Sequence, residues 1–191
     1  MTAATDRPDR THRTEGAERR SVEVAEVALP IGRLALAAVD GRLVLASLDD
    51  GELDHRRVLA AQLAADATLV DAADPAGAVT ALGRYLDGDL RALDAVDVDL
   101  TGSGTPFQRR VWTALRTIPA GTTWSYGQLA EAVGDRRASR AVGSANGANR
   151  VVVVVPCHRV VRADGSLGGY ACGPDRKAWL LDHERRHAAS G

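Results

Sequence analysis

The chain has 191 residues, 45% of them hydrophobic and 26% charged, which is typical of a globular protein with a packed core. Its two cysteines, Cys157 and Cys172, are too few for a disulfide framework and fit no zinc-site spacing. No apolar run approaches the roughly 18 residues of a membrane span, and the first residues lack a signal-peptide core. We therefore expect a cytoplasmic protein without membrane contact, because a reducing compartment keeps thiols free.

Charge is distributed unevenly along the chain. Residues 105–191 contain thirteen Lys and Arg against six Asp and Glu, a net charge of +7. Residues 1–104 contain eleven against nineteen, a net charge of −8. A basic half joined to an acidic half indicates that a polyanion meets only the basic half. Chance clustering of surface charge is the alternative.

The first half has the pattern of a polar tail followed by a small α/β unit. Residues 1–20 show no apolar periodicity and predict a disordered tail. Asp40-Gly41 is a strong hairpin signal, and Asp74-Pro75 is a typical start of a helix. The predicted elements are strands over 22–29, 31–39, 43–48 and 96–100, and helices over 52–67 and 75–86.

The second half is predicted to be mostly helical. Thr101-Gly102-Ser103-Gly104 is typical of a flexible joint, so we predict two domains after the tail, 21–101 and 102–191. Thr105-Pro106 and Ser125 are helix-start signals, each followed by apolar residues at helical spacing. The first predicted helix starts at 106 and is ended by 118–121, the others cover 126–133, 137–148 and 175–186, and the two over 126–133 and 137–148 form a helix-turn-helix.

The second helix of this pair consists mostly of small residues, with Arg140 among them. Long side chains suit the reading of bases in the major groove. A helix of small residues instead allows close approach to a minor groove, with Arg140 as a single projecting side chain. A tightly packed internal helix fits the same spacing equally well.

Five consecutive valines, residues 151–155, precede Pro156 and Cys157. β-branched side chains favour an extended backbone, so the run predicts a buried strand that Pro156 ends. A stiff element that ends in Cys157-His158 holds a reactive thiol in place, which makes Cys157 the candidate nucleophile. An inert buried thiol is the alternative that the residues alone leave open.

Pro156-Cys157-His158-Arg159-Val160 resembles the active-site signature of the O6-alkylguanine-DNA alkyltransferases, also called methylated-DNA–protein-cysteine methyltransferases. The resemblance is strong over residues 106–184 and only general over 21–100. It implies an α+β fold, with a small ribonuclease-H-like α/β domain before a mostly helical, winged-helix-like DNA-binding domain that carries the cysteine. Other segments resemble the family in order and spacing: Ser125-Tyr126-Gly127-Gln128-Leu129-Ala130, Arg140-Ala141-Val142-Gly143, Asn149, Gly169-Tyr170 and Leu180-Leu181-Asp182-His183-Glu184.

The resemblance implies a suicide DNA-repair enzyme that moves the alkyl group of O6-alkylguanine onto its own Cys157, without cofactor or metal. Acceptance of O4-alkylthymine is left open. His158 is expected to take the thiol proton through a water, and Glu184 to orient the imidazole. Tyr126 is expected to donate a proton to the leaving guanine, and Asn149 to tie the helix-turn-helix to the active-site loop. Neighbours are expected to lower the pKa of Cys157, because the thiolate is the nucleophile.

The resemblance also implies a monomer that binds double-stranded DNA through the minor groove and flips the damaged nucleotide out. Arg140 is expected to fill the gap in the base stack. The carbonyls of Cys157 and Val160 are expected to read the guanine amino group, and the N–H of Ala171 to approach O6. Contacts to DNA or base are expected from Arg140, Ala141, Gly143, Ser144, Arg159, Val160, Tyr170 and Ala171.

The chain departs from the family pattern at three positions. Ala171 stands where several members have Ser, Cys172 where Gly or Trp is common, and Arg150 where Pro is commoner. These differences bear on substrate range and rate rather than on the reaction.

Two other classes of function remain open at this stage. A non-enzymatic lesion binder resembling the alkyltransferase-like proteins would carry Trp in place of Cys157. A Cys-His hydrolase or thiol transferase of small molecules would need neither the helix-turn-helix nor Arg140.

Overall fold

The structure, a computed structural model, describes residues 21–49 and 67–189. The predicted tail and nearly all of the helix predicted over 52–67 lie outside these ranges. The described chain has a mixed sheet first and helices later. The α+β class predicted from the sequence is therefore confirmed.

The sheet contains four strands in the order β3-β2-β1-β4. They are β1 (Ser21–Leu29), β2 (Gly32–Val39), β3 (Arg42–Asp49) and β4 (Thr68–Asp71). β2 pairs antiparallel with both β1 and β3, whereas β4 runs parallel to β1. Asp40 and Gly41 join β2 to β3 with φ values of 51° and 72°, as the hairpin signal predicts.

Helix α1 (Ala78–Leu86) is shorter than the helix predicted over 75–86. Ala76 and Gly77 have φ values of 54° and 69°, and they separate a 3₁₀ turn, Pro75–Gly77, from α1. The N-cap residue of α1 is therefore Gly77 rather than the predicted Asp74, although the Asp74 carboxylate still accepts two backbone hydrogen bonds from the first turn of the helix.

The strand predicted over 96–100 is wrong. A 3₁₀ turn, Ala92–Ala95, comes first, and Val98 then makes an isolated parallel bridge to Leu43 of β3. One bridge forms because the backbone of this segment pairs with Leu43, whose N–H and C=O bond the residues on either side of Val98, while the side chain of Arg42 makes the neighbouring contacts.

Four helices organise the second half: α2 (Pro106–Leu115), α3 (Tyr126–Ala132), α4 (Ser139–Gly147) and α5 (Pro174–Ala188). Thr105 and Ser125 form capping boxes at α2 and α3, as their sequence positions predict. α3 and α4 are the two helices of the predicted helix-turn-helix. Two short parallel strands, β5 (Trp124–Ser125) and β6 (Val160–Val161), lie before α3 and after the cysteine.

The five valines are buried, but the prediction that they form a strand is wrong. The segment folds back on itself: the Val155 N–H donates to the Val151 carbonyl, and Val152 makes an isolated bridge to Val155. Val153 has a φ of 71°, a value that a β-branched residue adopts only under strong external constraint. Side-chain hydrogen bonds from Asn149, described below, supply that constraint.

The larger hydrophobic core is continuous across the predicted joint. Leu34 and Leu36 of β2 belong to the same buried cluster as Trp112 of α2 and Val155. The joint is also attached to α2, because Arg109 donates to the carbonyls of residues 103 and 104. The sheet therefore braces the segment that leads to the cysteine.

Candidate active site

Cys157 begins a single 3₁₀ turn, Cys157–Arg159, at the wall of a cavity of about 240 Å³. The residue is only 3% exposed. The cavity lies between α3, α4 and the segments before and after the cysteine. Six predicted site residues meet here, and the full lining is Tyr126, Gly143, Asn146, Gly147, Asn149, Val152, Cys157, Gly169, Tyr170 and Ala171.

Asn149 holds the valine turn and the cysteine together. Its Oδ1 accepts from the N–H of Val151 at 3.0 Å, and its Nδ2 donates to the Val155 carbonyl at 2.8 Å. The same Nδ2 lies 3.1 Å from the sulfur of Cys157. A single amide at the end of α4 thus fixes the tight turn and aims a donor at the thiol.

The pKa of Cys157 contradicts the expectation of a lowered value. Burial raises the pKa of the thiol to about 11, and the hydrogen bond from Asn149 opposes this rise only in part. The cause is the dry environment, since Cys157 lies in the main hydrophobic core cluster. The cysteine of the DNA-free protein is therefore a neutral thiol near pH 7.

His158 is completely buried, and its Nε2 lies 2.9 Å from Oε1 of Glu184 on α5. Hydrogen bonds from His158 and Arg159, together with the charge of Arg159, outweigh burial and hold the pKa of Glu184 far below its usual range. An ionised Glu184 accepts from Nε2–H, which leaves the lone pair of the imidazole on Nδ1. Nδ1 is buried and has no hydrogen-bond partner among the described residues, so it is the open basic atom of the site.

Burial lowers the pKa of His158, although the bond to Glu184 opposes that change. The imidazole is therefore neutral at physiological pH and available as a base. Together with the raised pKa of Cys157, this defines a resting pair of thiol and neutral imidazole rather than a charged pair.

Arg159 does not reach the surface, so its predicted role as a DNA contact is wrong. Its guanidinium is buried and donates to both carboxylate oxygens of Glu184, at 2.9 to 3.1 Å. Its Nη1 also donates to the carbonyl of Ile118 at 2.6 Å. Because a buried carboxylate needs a paired charge, Arg159 serves Glu184 instead of a phosphate.

Tyr126 begins α3 and forms another wall of the cavity. A Cβ at Gly143 of α4 would lie 3.7 Å from its ring, and one at Gly168 would lie 3.5 Å from its hydroxyl. Burial raises the pKa of Tyr126, so the phenol keeps its proton and is a competent donor. The opposite wall contains Tyr170, whose hydroxyl is buried without a hydrogen-bond partner among the described residues, and Ala171, which is exposed.

Helix α4 has one buried and one exposed face. Val142, Ala145 and Asn146 are buried against the core, whereas Arg140, Ala141 and Ser144 are exposed. The sequence left open a packed internal helix or a helix that approaches DNA closely, and α4 has a face suited to each. One side packs against the core, and the other is a surface of small residues with one projecting guanidinium.

Sequence reasoning missed Lys177 and Asn146. Lys177 is buried on α5, and its Nζ donates to the carbonyls of Val160, Leu167 and Gly169. Asn146 donates from Nδ2 to the Cys157 carbonyl at 3.3 Å. Of the two carbonyls expected to read guanine, that of Cys157 also accepts from the N–H of Val160, so both of its acceptor positions are occupied, and that of Val160 accepts from Lys177.

A signal for Lys177 exists in the sequence. Lys177, Leu180 and Glu184 are three and four residues apart, so they share one face of the helix. Two charged residues in register with a core leucine indicate a buried polar cluster. Asn146 has no comparable signal, because nothing in its local spacing separates it from the other small residues of α4.

The described residues, 21–49 and 67–189, contain no helix that is long and apolar enough to cross a membrane. Across the same ranges, no three His, Cys, Asp or Glu side chains gather in a way that could hold a metal ion.

Fold and site together define an α+β protein in which a buried cysteine, backed by a His–Glu pair, opens into a cavity beside a helix-turn-helix. Residues 106–186 match the family model of the 6-O-methylguanine DNA methyltransferase DNA-binding domain. The crystal structure of Mycobacterium tuberculosis O6-methylguanine methyltransferase is similar, with a TM-score of 0.70 and 38% identity over 87% of this chain and 94% of that chain. This chain belongs to the methylated-DNA–protein-cysteine methyltransferase family.

Sequence relatives agree with this assignment. A methylated-DNA–protein-cysteine methyltransferase of Mycolicibacterium paratuberculosis is 57% identical over 113 residues, which cover 59% of this chain and 67% of the relative. One of Salmonella typhimurium is 53% identical over 115 residues, covering 60% and 66%. The matched part thus spans about two thirds of each relative. A crystal structure of the M. tuberculosis protein in complex with DNA matches with a TM-score of 0.69 and 38% identity over 86% of this chain and 94% of that chain.

Proposed function

We propose that this chain repairs O6-alkylguanine in DNA by transferring the alkyl group irreversibly to the sulfur of Cys157. The observation that carries the proposal is the convergence of Cys157, the Asn149 donor and Tyr126 on one cavity, with His158 and Glu184 behind the thiol. The relatives named above support the class of reaction, and the geometry supports the residue roles.

The reaction is a displacement at the alkyl carbon. The sulfur–carbon bond forms as the bond from carbon to O6 breaks, and the electron pair of that bond remains on the guanine. The thiol proton passes through a water to Nδ1 of His158, the basic atom without a partner. Glu184 stabilises the imidazolium that results, and Tyr126 donates a proton to the guanine anion.

The raised pKa of Cys157 gives the site a resting state that is protected from unwanted alkylation. A neutral thiol is a weak nucleophile. Transfer therefore needs a bound substrate, so that departure of the guanine is coupled to movement of the thiol proton to His158. The lowered pKa of His158 supports this order of events, because the imidazole is ready to accept a proton.

For DNA we propose binding of a duplex through the minor groove by the exposed face of α4. Ala141 and Ser144 are small enough for close approach, and Arg140 projects from the same exposed side. Arg140 fills the space that the flipped nucleotide leaves. Binding weakens as salt concentration rises, because the basic half replaces counterions at the phosphates.

Three further points extend the proposal. The protein acts as a monomer, since one chain supplies every residue that the proposed transfer step uses. It acts in the cytoplasm, because a free thiol survives in a reducing compartment. The joint at 101–104 separates an N-terminal domain from the domain that carries out transfer, and the shared core makes the first domain a structural support for the second.

The decisive experiment exposes the protein to duplex DNA that contains O6-methylguanine and records its intact mass and a peptide map. We expect one methyl group per protein, on Cys157, with stoichiometric loss of the lesion. Cys157→Ser is expected to bind the lesion without accepting the methyl group. Binding without transfer by the unchanged chain would instead support a lesion binder. A chain that does not bind the lesion would instead support the Cys-His enzyme of small molecules.

A further inference from the structure

We infer that Tyr85, in the N-terminal half, is a positioning residue of the alkyl-transfer site that sets the basicity of His158 through Glu184. This inference rests on the function proposed above. The sequence of this half shows no chemical motif, yet α1 places one hydroxyl within the buried polar cluster behind the cysteine. The hydroxyl of Tyr85 donates to Oε1 of Glu184 at 2.9 Å.

Tyr85 is held firmly where this contact requires it. The residue is 1% exposed and belongs to the main core cluster. Its ring lies 5.0 Å, centroid to centroid, from the ring of His183 on α5. Nε2 of His183 lies 2.9 Å from the Tyr85 carbonyl. Side chain and backbone of this one residue thus both attach α1 to α5, on which Glu184 lies.

Glu184 has a full set of partners. Oε1 bonds Tyr85, His158 and Arg159, while Oε2 accepts from Arg159 and from the Gly121 N–H at 3.1 Å. A carboxylate offers about four acceptor sites, so each donor takes electron density that the imidazole would otherwise share. The tyrosine hydroxyl competes with His158 at the same oxygen.

The charged and titratable groups that face this pair are few. Arg159 adjoins it on the cysteine turn, and Tyr85 faces it from α1. Lys177 on α5 acts on His158 through its charge. Removing the Tyr85 hydroxyl changes none of these charges, so its effect on His158 passes through Glu184.

The expected consequence has a definite sign. Without the hydroxyl, Glu184 is a stronger acceptor and stabilises the imidazolium more, so the pKa of His158 rises. A protonated His158 cannot take the thiol proton, and transfer is therefore lost from the acidic side. The pH at which the transfer rate falls on the acidic side should rise by roughly half to one unit. A shift of this size corresponds to the free energy of one hydrogen bond to a charged group.

The test measures single-turnover methyl transfer from O6-methylguanine DNA between about pH 4.5 and 8.5 for the unchanged chain and for Tyr85→Phe, a window that reaches below the usual range of histidine because burial lowers the pKa of His158. The phenylalanine keeps the ring and removes only the hydroxyl. On the acidic limb, where the rate changes tenfold per pH unit, this shift is a deficit of roughly three- to tenfold, and it disappears at the alkaline end. Leu82→Ala, on the same helix and fully buried, is the control for destabilisation alone and should leave the pH profile in place.

A second readout does not depend on transfer. The chain has five histidines, and the carbon-bound ring proton of His158 is assigned in NMR spectra by its loss in His158→Gln. In Tyr85→Phe this signal should titrate at a higher pH than in the unchanged chain. The inference is overturned if Tyr85→Phe changes the transfer rate by the same factor at every pH. It is also overturned if the His158 signal titrates at the same pH in both proteins. Absence of transfer in the unchanged chain refutes the proposed function instead, and the NMR titration then decides the inference alone.

Discussion

Asn149 donates a hydrogen bond to the sulfur of Cys157 over 3.1 Å, from the same nitrogen that holds the Val155 carbonyl. The turn and the thiol therefore depend on one side chain. Replacing Asn149 with Ala leaves the Val155 carbonyl and the Val151 N–H buried without partners, and each such loss costs about 1–3 kcal/mol. We expect the free energy of unfolding to fall by several times the effect of a surface substitution, and transfer to become much slower.

Urea denaturation and single-turnover assays check this prediction. Asn149→Asp is a milder change, because it keeps the acceptor for the Val151 N–H and removes only the nitrogen that donates to the sulfur and to the Val155 carbonyl. Its carboxylate also raises the pKa of the thiol further. Transfer as fast in this variant as in the unchanged chain would rule out a role for the donor.

The protonation state of Cys157 can be measured directly. Thiolate absorbance in the ultraviolet, taken as the difference between the unchanged chain and Cys157→Ser, should titrate at about pH 11. The unfolded thiol titrates near 9, so the folded state binds the proton more tightly than the unfolded state. Stability contributed by Cys157 is therefore complete below pH 9 and lost as pH rises toward 11. A thiolate already present at pH 7 would contradict the neutral resting pair.

Glu184 and Arg159 form a buried ion pair, so breaking it from one side should be costly. Glu184→Gln leaves the guanidinium uncompensated, and we expect the free energy of unfolding to fall by roughly 3–5 kcal/mol. Asp182→Asn is the matched control on the same helix, because its ion pairs to Arg185 and Arg186 are exposed and should contribute about 0–1 kcal/mol.

Replacing both members of the buried pair with Leu provides the complementary test. The double variant should recover much of the lost stability, since no unpaired charge remains, while alkyl transfer stays defective because His158 has lost its orienting carboxylate. Full transfer in a stable double variant would show that Glu184 is only a structural residue. Denaturation curves and transfer rates measured on the same preparations decide this.

Arg140 is expected to matter for duplex DNA in particular. Arg140→Ala should slow methyl transfer from a duplex by one to two orders of magnitude, the range of a few kcal/mol spent on unstacking a base. Transfer from a single strand should be nearly unchanged, because no stack has to be opened. Arg136→Ala, which removes another exposed charge near the start of α4, one that pairs with Glu131, should weaken binding at low salt without this distinction. Equal losses on both substrates would remove Arg140 from the flipping step.

Features whose hydrogen bonds close within a few residues could be predicted from the order of the amino acids. The capping boxes at Thr105 and Ser125, the hairpin at Asp40-Gly41 and the small-residue helix around Arg140 all follow from local hydrogen bonding and side-chain size. The cysteine motif, together with the order and spacing of the other family-like segments, was enough to indicate the family. These features do not depend on residues that are distant in the sequence and pack from the other side of the core.

Roles that depend on partners far apart in the chain could be assigned only from the folded protein. Glu184 meets Arg159 from 25 positions away and Tyr85 from 99, and no periodicity in the sequence encodes such pairs. The valine run failed as a strand for the same reason: Asn149 and β3 supply hydrogen bonds that a neighbouring strand would otherwise provide. Burial of these charges, which sets the pKa of Cys157 and His158, exists only once the core has closed around them.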